Sequence, residues 1–188
     1  MTDPIETPGR DPDADLPEET MWQGRFVTAK RRGRWEYASR SRGIRAAAII
    51  AIDDGHVLLV EQYRIPLGKR SLEIPAGLIG DDDGAEGEAP ETAAMRELEE
   101  ETGYIAERME NLGEYYSSPG MVSESFTLLR AHGLTKVSEG GGTESEDITV
   151  HRVKLGDLRQ FVADWRAKGH AVDVRLAILM AEEFLGED

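Results

Sequence analysis

The stretch EAPETAAMRELEEETGY, residues 88–104, decides the fold. Pro90 stands where the first turn of a helix tolerates proline, and Gly103 is a natural helix stop. The spacing predicts a helix over about 90–102, with Ala93, Ala94 and Leu98 toward the core. Glu97, Glu99, Glu100 and Glu101 fall within five positions, a density of like charge that repels itself on a helix. Positions i, i+3 and i+4 share a face, so Glu97, Glu100 and Glu101 converge while Glu99 points away. Three converging carboxylates suit a hard divalent cation such as Mg²⁺, which takes oxygen ligands and shares them with phosphates. Arg96 is placed to turn back onto one of them and orient it. An exposed acidic helix is the plain alternative.

Outward from the helix, the preceding segments read as strands. AAAIIAI and HVLLVEQYR flank the turn DDG, a strong hairpin signal. SLEIPAGL reads as a further strand ended by Pro75 and Gly77, followed by the glycine- and acid-rich loop IGDDDGAEGE. After the helix come strands near 108–117 and 124–132, the glycine-rich SEGGGTESED, and the strand DITVHRVKL. Leu158, Phe161, Val162 and Trp165 lie at i, i+3, i+4 and i+7 of a helix stopping at Lys168-Gly169. Val174 to Phe184 reads as a last amphipathic helix. Strands mixed with a few helices predict an α/β sandwich rather than a regular βαβ repeat.

Before these lie two regions of opposite charge. Residues 1–20 hold four of the chain's eight prolines and seven acids against one arginine, the composition of a disordered lead. Residues 21–44 follow, and eight basic residues stand between Arg25 and Arg45 against the single acid Glu36. GRFVTAKR and GRWEYASR read as a β-hairpin subdomain there. Its charge suits a protected sheet edge, an anionic ligand or an acidic partner subunit.

Composition excludes whole classes. With 188 residues, 39% of them hydrophobic, the chain can bury a core. A net charge of −15 argues against nucleic-acid binding, which wants a basic surface. No cysteine is present, so disulfides and thiolate chemistry are ruled out. No apolar run approaches the roughly 18 residues of a membrane span. A cytoplasmic protein is the expectation.

The order Glu88, seven residues, then Arg96-Glu97-Leu98-x-Glu100-Glu101-x-Gly103-Tyr104 resembles the Nudix box, complete over this length. The box ordinarily opens with a glycine six positions before its first glutamate. Asp82 stands there instead, and Gly77 with an insertion, Asp81–Ala85, takes its place. The resemblance implies a Nudix-type α/β/α sandwich with a mixed β-sheet over 45–188. It implies metal-dependent hydrolysis of a nucleoside diphosphate derivative, with Mg²⁺ as cofactor and Mn²⁺ as the alternative. Glu97 and Glu101 are the implied main ligands, with Glu100 and the carbonyl of Ala76; Arg96 and Glu88 support them.

EQYRIP with EIPAGL, SSPG, ESEDITVH and WEYASR narrow the resemblance to the ADP-ribose pyrophosphatase branch. That branch implies cleavage of ADP-ribose to AMP and ribose 5-phosphate. NADH, GDP-mannose and other nucleotide sugars are the alternative substrates, and a non-catalytic ADP-ribose sensor is a further one. Glu144 corresponds to the general base on a late loop, with Glu146 as the runner-up, a base or a metal ligand, and Gly140–Gly142 suits a mobile approach to it. Phe26 and Trp35 match aromatics that sandwich the base across a homodimer whose N-terminal strands exchange. Arg40 and Arg64 match nucleotide-binding arginines, and Pro119 joins them at the substrate.

Overall fold

The computed structural model describes residues 10–41, 44–80, 87–143 and 146–181. The chain divides into two compact units, Met1–Gly43 with Ser118–Glu124, and Ile44–Ser117 with Ser125–Asp188.

The first unit is a three-stranded antiparallel sheet, β1 (Glu18–Gln23), β2 (Val27–Arg32) and β3 (Trp35–Arg40), in that order. The expected hairpin is β2–β3, with Val27 opposite Arg40 and Arg32 opposite Trp35. Part of the expected lead is built into this unit: Pro12–Asp15 is a 3₁₀ turn and β1 begins at Glu18. Charge explains the correction. Glu18 meets Lys30 at 2.8 Å, Glu19 meets Arg31 at 2.8 Å, and Asp11 meets Arg34 at 2.7 Å. The acids of the lead thus neutralise the bases of the hairpin. Residues 118–124 join through Ala38, whose N–H donates to Met121 O and whose carbonyl accepts from Ser123 N, both at 3.0 Å.

The second unit centres on β4 (Arg45–Asp53). Its neighbours are β5 (His56–Arg64), antiparallel, β7 (Ala76–Ile79), antiparallel, and β10 (Ser125–His132), parallel. β6 (Lys69–Glu73) and β12 (Thr149–Lys154) pair with β5, and β9 (Arg108–Tyr116) pairs with β10. Short β13 (Ala171–Val172) lies parallel to β6, and the two-residue β8 (Tyr104–Ile105) pairs with β11 (Thr135–Lys136). The sheet is therefore mixed. The β4–β5 turn has φ of 44° at Asp54 and 70° at Gly55, the left-handed pair that a two-residue hairpin loop requires.

The run AAAIIAI is continuous because both its faces are covered. Ala47, Ile49 and Ala51 face the helix α1 (Pro90–Thr102), packing with Ala93, Ala94 and Leu98. Ala48 and Ile50 face the other way, toward Leu158, Val162 and Trp165 of α2 (Leu158–Ala167). One helix on each face gives the α/β/α sandwich.

Two expectations need correction. SLEIPAGL is two strands, not one, because Pro75 has no N–H for a ladder and the chain bends there from β6 into β7. Val174–Met180 is a 3₁₀ helix rather than an α-helix. Asp173 pins its first turn by accepting from Arg175 N at 2.7 Å, and Leu176 N donates to Asp173 O at 3.1 Å. Residues 182–184 and the insertion Asp81–Ala85 lie outside the described residues. Among the described residues no helix is long and apolar enough to cross a membrane.

Candidate functional site

Helix α1 carries the acidic face, and its ends fix that face. Gly103 closes the helix with φ 74°, its N–H returning to Glu99 O at 2.9 Å. Thr102 is buried and its hydroxyl donates to Leu98 O at 2.5 Å. These bonds close the helix just beyond the turns bearing Glu97, Glu100 and Glu101. Beneath them runs β7, close against the acidic face: a Cβ on Gly77 would lie 1.9 Å from Glu97 Cδ.

Glu101 is 6% exposed, and among the described residues its carboxylate takes one hydrogen bond, from Ala76 N–H at 3.0 Å. Burial drives its pKa up to about 8; the Ala76 bond and Arg64 work against this, while the charges of Glu97 and Glu146 add to it. Glu97 is also raised, first by burial. Arg96 Nη1 reaches Glu97 Oε1 at 2.9 Å and Glu100 Oε2 at 3.5 Å, and Arg96 Nη2 donates to Leu78 O at 3.4 Å. Burial opposes the Arg96 charge, but Glu97 and Glu100 keep it protonated. Arg96 thus orients the carboxylates and ties them to β7. Glu88 Oε2 accepts from Gly80 N at 3.2 Å and steadies the end of β7.

Among the described residues no three carboxylate or histidine groups already form a cation cage. Glu100 turns toward Arg96 and its side chain stays 42% exposed. The donors nonetheless fit a hard divalent cation. Glu97 and Glu101 offer carboxylate oxygens from one face, both largely buried, and burial opposes their charge, so the pair calls for positive charge beside it. A dication that completes its shell with waters and phosphate oxygens would supply that charge.

Glu146, through its charge, adds to the raised pKa of both Glu97 and Glu101. Its Oε2 accepts from Thr143 N at 2.9 Å and Thr143 Oγ1 at 3.1 Å. Glu144 lies outside the described residues.

Arg64, at the end of β5, is gripped by Glu73 through Nε and Nη2, both at 2.7 Å. Glu73 is 3% exposed and also accepts from Arg175 Nη2 at 3.2 Å. Asp173 in turn holds Arg175 Nε at 2.8 Å. Sequence reading places Glu73 in EIPAGL but misses its pairing with Arg64 and Arg175, because 102 positions separate Glu73 from Arg175. The grip presents Arg64, its side chain 41% exposed, near Glu101.

In the first unit Trp35 and Pro119 line one cavity of about 340 Å³, with Tyr37, Arg32 and the acidic turn at Asp11 and Asp13. Phe26 does not join them. Its carbonyl accepts from Ser41 N, at the end of the β2–β3 ladder opposite Trp35. At about 3.3 Å per residue the two aromatics stand roughly 20 Å apart in one chain. Both are exposed, Phe26 at 57% and Trp35 at 46%. Arg40 Nε is ion-paired with Glu124.

Known proteins match this chain across both its sequence and its fold. An ADP-ribose pyrophosphatase of Bacillus subtilis is 38% identical over 119 residues, 62% of each chain. A methanol dehydrogenase activator of Bacillus methanolicus is 37% identical over 142 residues, 74% of each. A GDP-mannose pyrophosphatase of Yersinia pestis is 38% identical over 122 residues, 61% of this chain and 59% of its own. A solved structure described as an ADP compounds hydrolase superposes with a TM-score of 0.66 at 25% identity, over 90% of this chain and 92% of its own. The NUDIX domain model matches residues 42–172. That span contains β4, the whole acidic helix and the strands beneath it, and the chain belongs to the Nudix hydrolase family.

Proposed function

We propose that this protein hydrolyses the pyrophosphate bond of ADP-ribose to AMP and ribose 5-phosphate. The observation that carries this reading is the burial of Glu101 beside Glu97 on one face of α1. Such a pair is unfavourable unless a cation sits against it. Glu97, Glu101, the Ala76 carbonyl and Glu100 would hold the ion, for which Mg²⁺ is the first choice and Mn²⁺ the second. When bound, the ion neutralises the pyrophosphate and acidifies the attacking water.

The chain's own residues do the rest. Arg96 and Glu88 hold the ligands in place. Arg64, braced by Glu73, meets a phosphate oxygen, and Arg40 would exchange Glu124 for the nucleotide. Glu144 would take the proton of the attacking water, with Glu146 as the alternative base or as a further ligand to the ion. The water oxygen bonds to phosphorus, the bond to the bridging oxygen breaks, and that oxygen leaves on the other phosphate. Trp35 and Pro119 receive the base in their shared cavity; stacking on such a ring contributes roughly 1–3 kcal/mol. Because Phe26 stands too far away in one chain, a sandwich of the base would take Phe26 from the second subunit of a homodimer.

The Bacillus subtilis relative and the ADP compounds hydrolase fold favour ADP-ribose. The Yersinia pestis relative, equally similar, favours a nucleotide sugar as the second reading. The deciding experiment is a chromatographic product assay. Equal concentrations of ADP-ribose, NADH, GDP-mannose and diadenosine polyphosphate are incubated with Mg²⁺, with and without EDTA. AMP and ribose 5-phosphate formed fastest from ADP-ribose, and lost with EDTA, support the proposal. A faster reaction of GDP-mannose supports the second reading, and binding of ADP-ribose without cleavage supports a sensor.

A further inference from the structure

The last carbonyls of a helix have no partner within it and must find donors elsewhere. In α1 they find them in the glycine-rich segment. Gly141 N–H donates to Glu101 O and Gly142 N–H to Glu100 O, both at 2.9 Å. Val137 and Ser138 donate to Gly103 O at 2.8 and 3.1 Å. The bonded residues of α1 are therefore those that carry the acidic face.

The contact leaves no room for side chains. A Cβ on Gly140 would lie 2.4 Å from Thr102 C, and one on Gly103 would lie 2.2 Å from Ser138 O. Gly140, Gly141 and Gly142 take φ of 66°, 112° and 77°, conformations that other residues rarely adopt. Gly142 also backs Glu146: a Cβ there would lie 2.8 Å from Glu146 Oε2 and 3.0 Å from Glu146 Cβ. Thr143 N–H and Oγ1 then fix the same oxygen. A segment bonded to backbone at this many points is not free to swing as a lid.

We infer that Gly140–Gly142 is a fixed strap on the C-terminal turn of α1, and that Gly140 and Gly142 are positioning residues that hold the Glu146 carboxylate against that turn, beside Glu100 and Glu101. The inference rests on the reading of those two glutamates as cation ligands. It gives the glycine run a different task from the mobile approach that its composition suggests.

The test is a double-mutant cycle on the full chain, with Gly142→Ala, Glu146→Gln and both together. Gly142→Ala is preferred over Gly140→Ala, because its added methyl meets side-chain atoms rather than backbone. Mn²⁺ affinity is read by electron paramagnetic resonance without substrate, and kcat and KM are read with it. Gly142→Ala should weaken Mn²⁺ at least fivefold and lower kcat at least tenfold, with KM unchanged within twofold. In the Glu146→Gln background it should change neither Mn²⁺ affinity nor kcat by more than twofold, because the positioned group is already altered. Equal losses in both backgrounds, wild-type Mn²⁺ affinity in Gly142→Ala, or a wild type that binds no Mn²⁺ would each overturn the inference. If Gly142→Ala does not fold, Thr143→Val removes one donor to Glu146 and enters the same cycle with the same criteria. Failure of the wild type to cut ADP-ribose would count against the proposed reaction alone, since the Mn²⁺ cycle still decides the strap.

Discussion

Replacing Gly77 by alanine tests the geometry of the acidic face directly. The added Cβ would lie 1.9 Å from Glu97 Cδ, 2.1 Å from Cγ and 2.3 Å from Oε1. Carbon atoms prefer about 3.5–4.0 Å, so the carboxylate must retreat by about 1.5 Å or more. Productive sites tolerate displacements of only about 0.5 Å. The Arg96–Glu97 pair at 2.9 Å breaks in the same movement. The backbone is not the obstacle, because Gly77 lies outside the left-handed region. Glu97 is a flexible side chain, so the fold survives and only the carboxylate moves. Disturbing the support of a metal ligand typically costs about 10–100-fold in affinity or activity. At 1.4 kcal/mol per tenfold, that is about 1.4–2.8 kcal/mol of lost cation binding. Mn²⁺ titration by calorimetry, beside the initial rate against Mg²⁺ concentration, measures it. Thermal unfolding should shift by no more than a few degrees. A Gly77→Ala protein that binds Mn²⁺ and turns over like the wild type would refute the assignment of Glu97.

Three further outcomes follow from the same structure. Glu73→Ala takes the buried carboxylate from Arg64 and, among the described residues, leaves Arg175 with Asp173 alone, a loss of about 1–3 kcal/mol. For a chain of this size it should lower the thermal midpoint by roughly 2–12 °C, and an unchanged midpoint contradicts the buried network. Glu18 is held at about 2, against 4.5, by hydrogen bonds from Lys30 and Tyr37. Its folded pKa is depressed, so its contribution is present above pH 4.5 and fades as the pH falls toward 2. Glu18→Gln should therefore lower the urea midpoint, read by Trp22 fluorescence, at pH 6, with a smaller difference at pH 2.5; a constant difference would count against the pairing. Trp35→Ala should raise KM more than it lowers kcat, and an unchanged KM argues against stacking.

Much of the fold is legible in local pattern. β4 and β5 announce themselves through AAAIIAI, the Asp54-Gly55 turn and HVLLVEQYR, and α1 through Pro90 and Gly103. These signals are short-range and owe nothing to distant residues. The first unit is harder to read, because the acids at 11–19 look like a solvated lead until Lys30, Arg31 and Arg34 stand opposite them. β8, β11 and β13 are two residues each, too short for any periodicity. Arg96 with Glu97 and Glu101 is visible from helical spacing alone. Glu73 is not, since its partners Arg64 and Arg175 meet only after β5, β6 and the last 3₁₀ helix have assembled. Nor does composition show what Gly140–Gly142 does: flexibility and close packing call for the same residue, and only the contact with Thr102 and Gly103 tells them apart.

The most direct test of the account compares ADP-ribose turnover by the wild type and by Glu101→Gln, at saturating Mg²⁺. The account predicts equal amounts of AMP and ribose 5-phosphate from the wild type, and a loss of roughly 100-fold or more in the variant with its fold intact. A Glu101→Gln protein that cleaves ADP-ribose at the wild-type rate would contradict it.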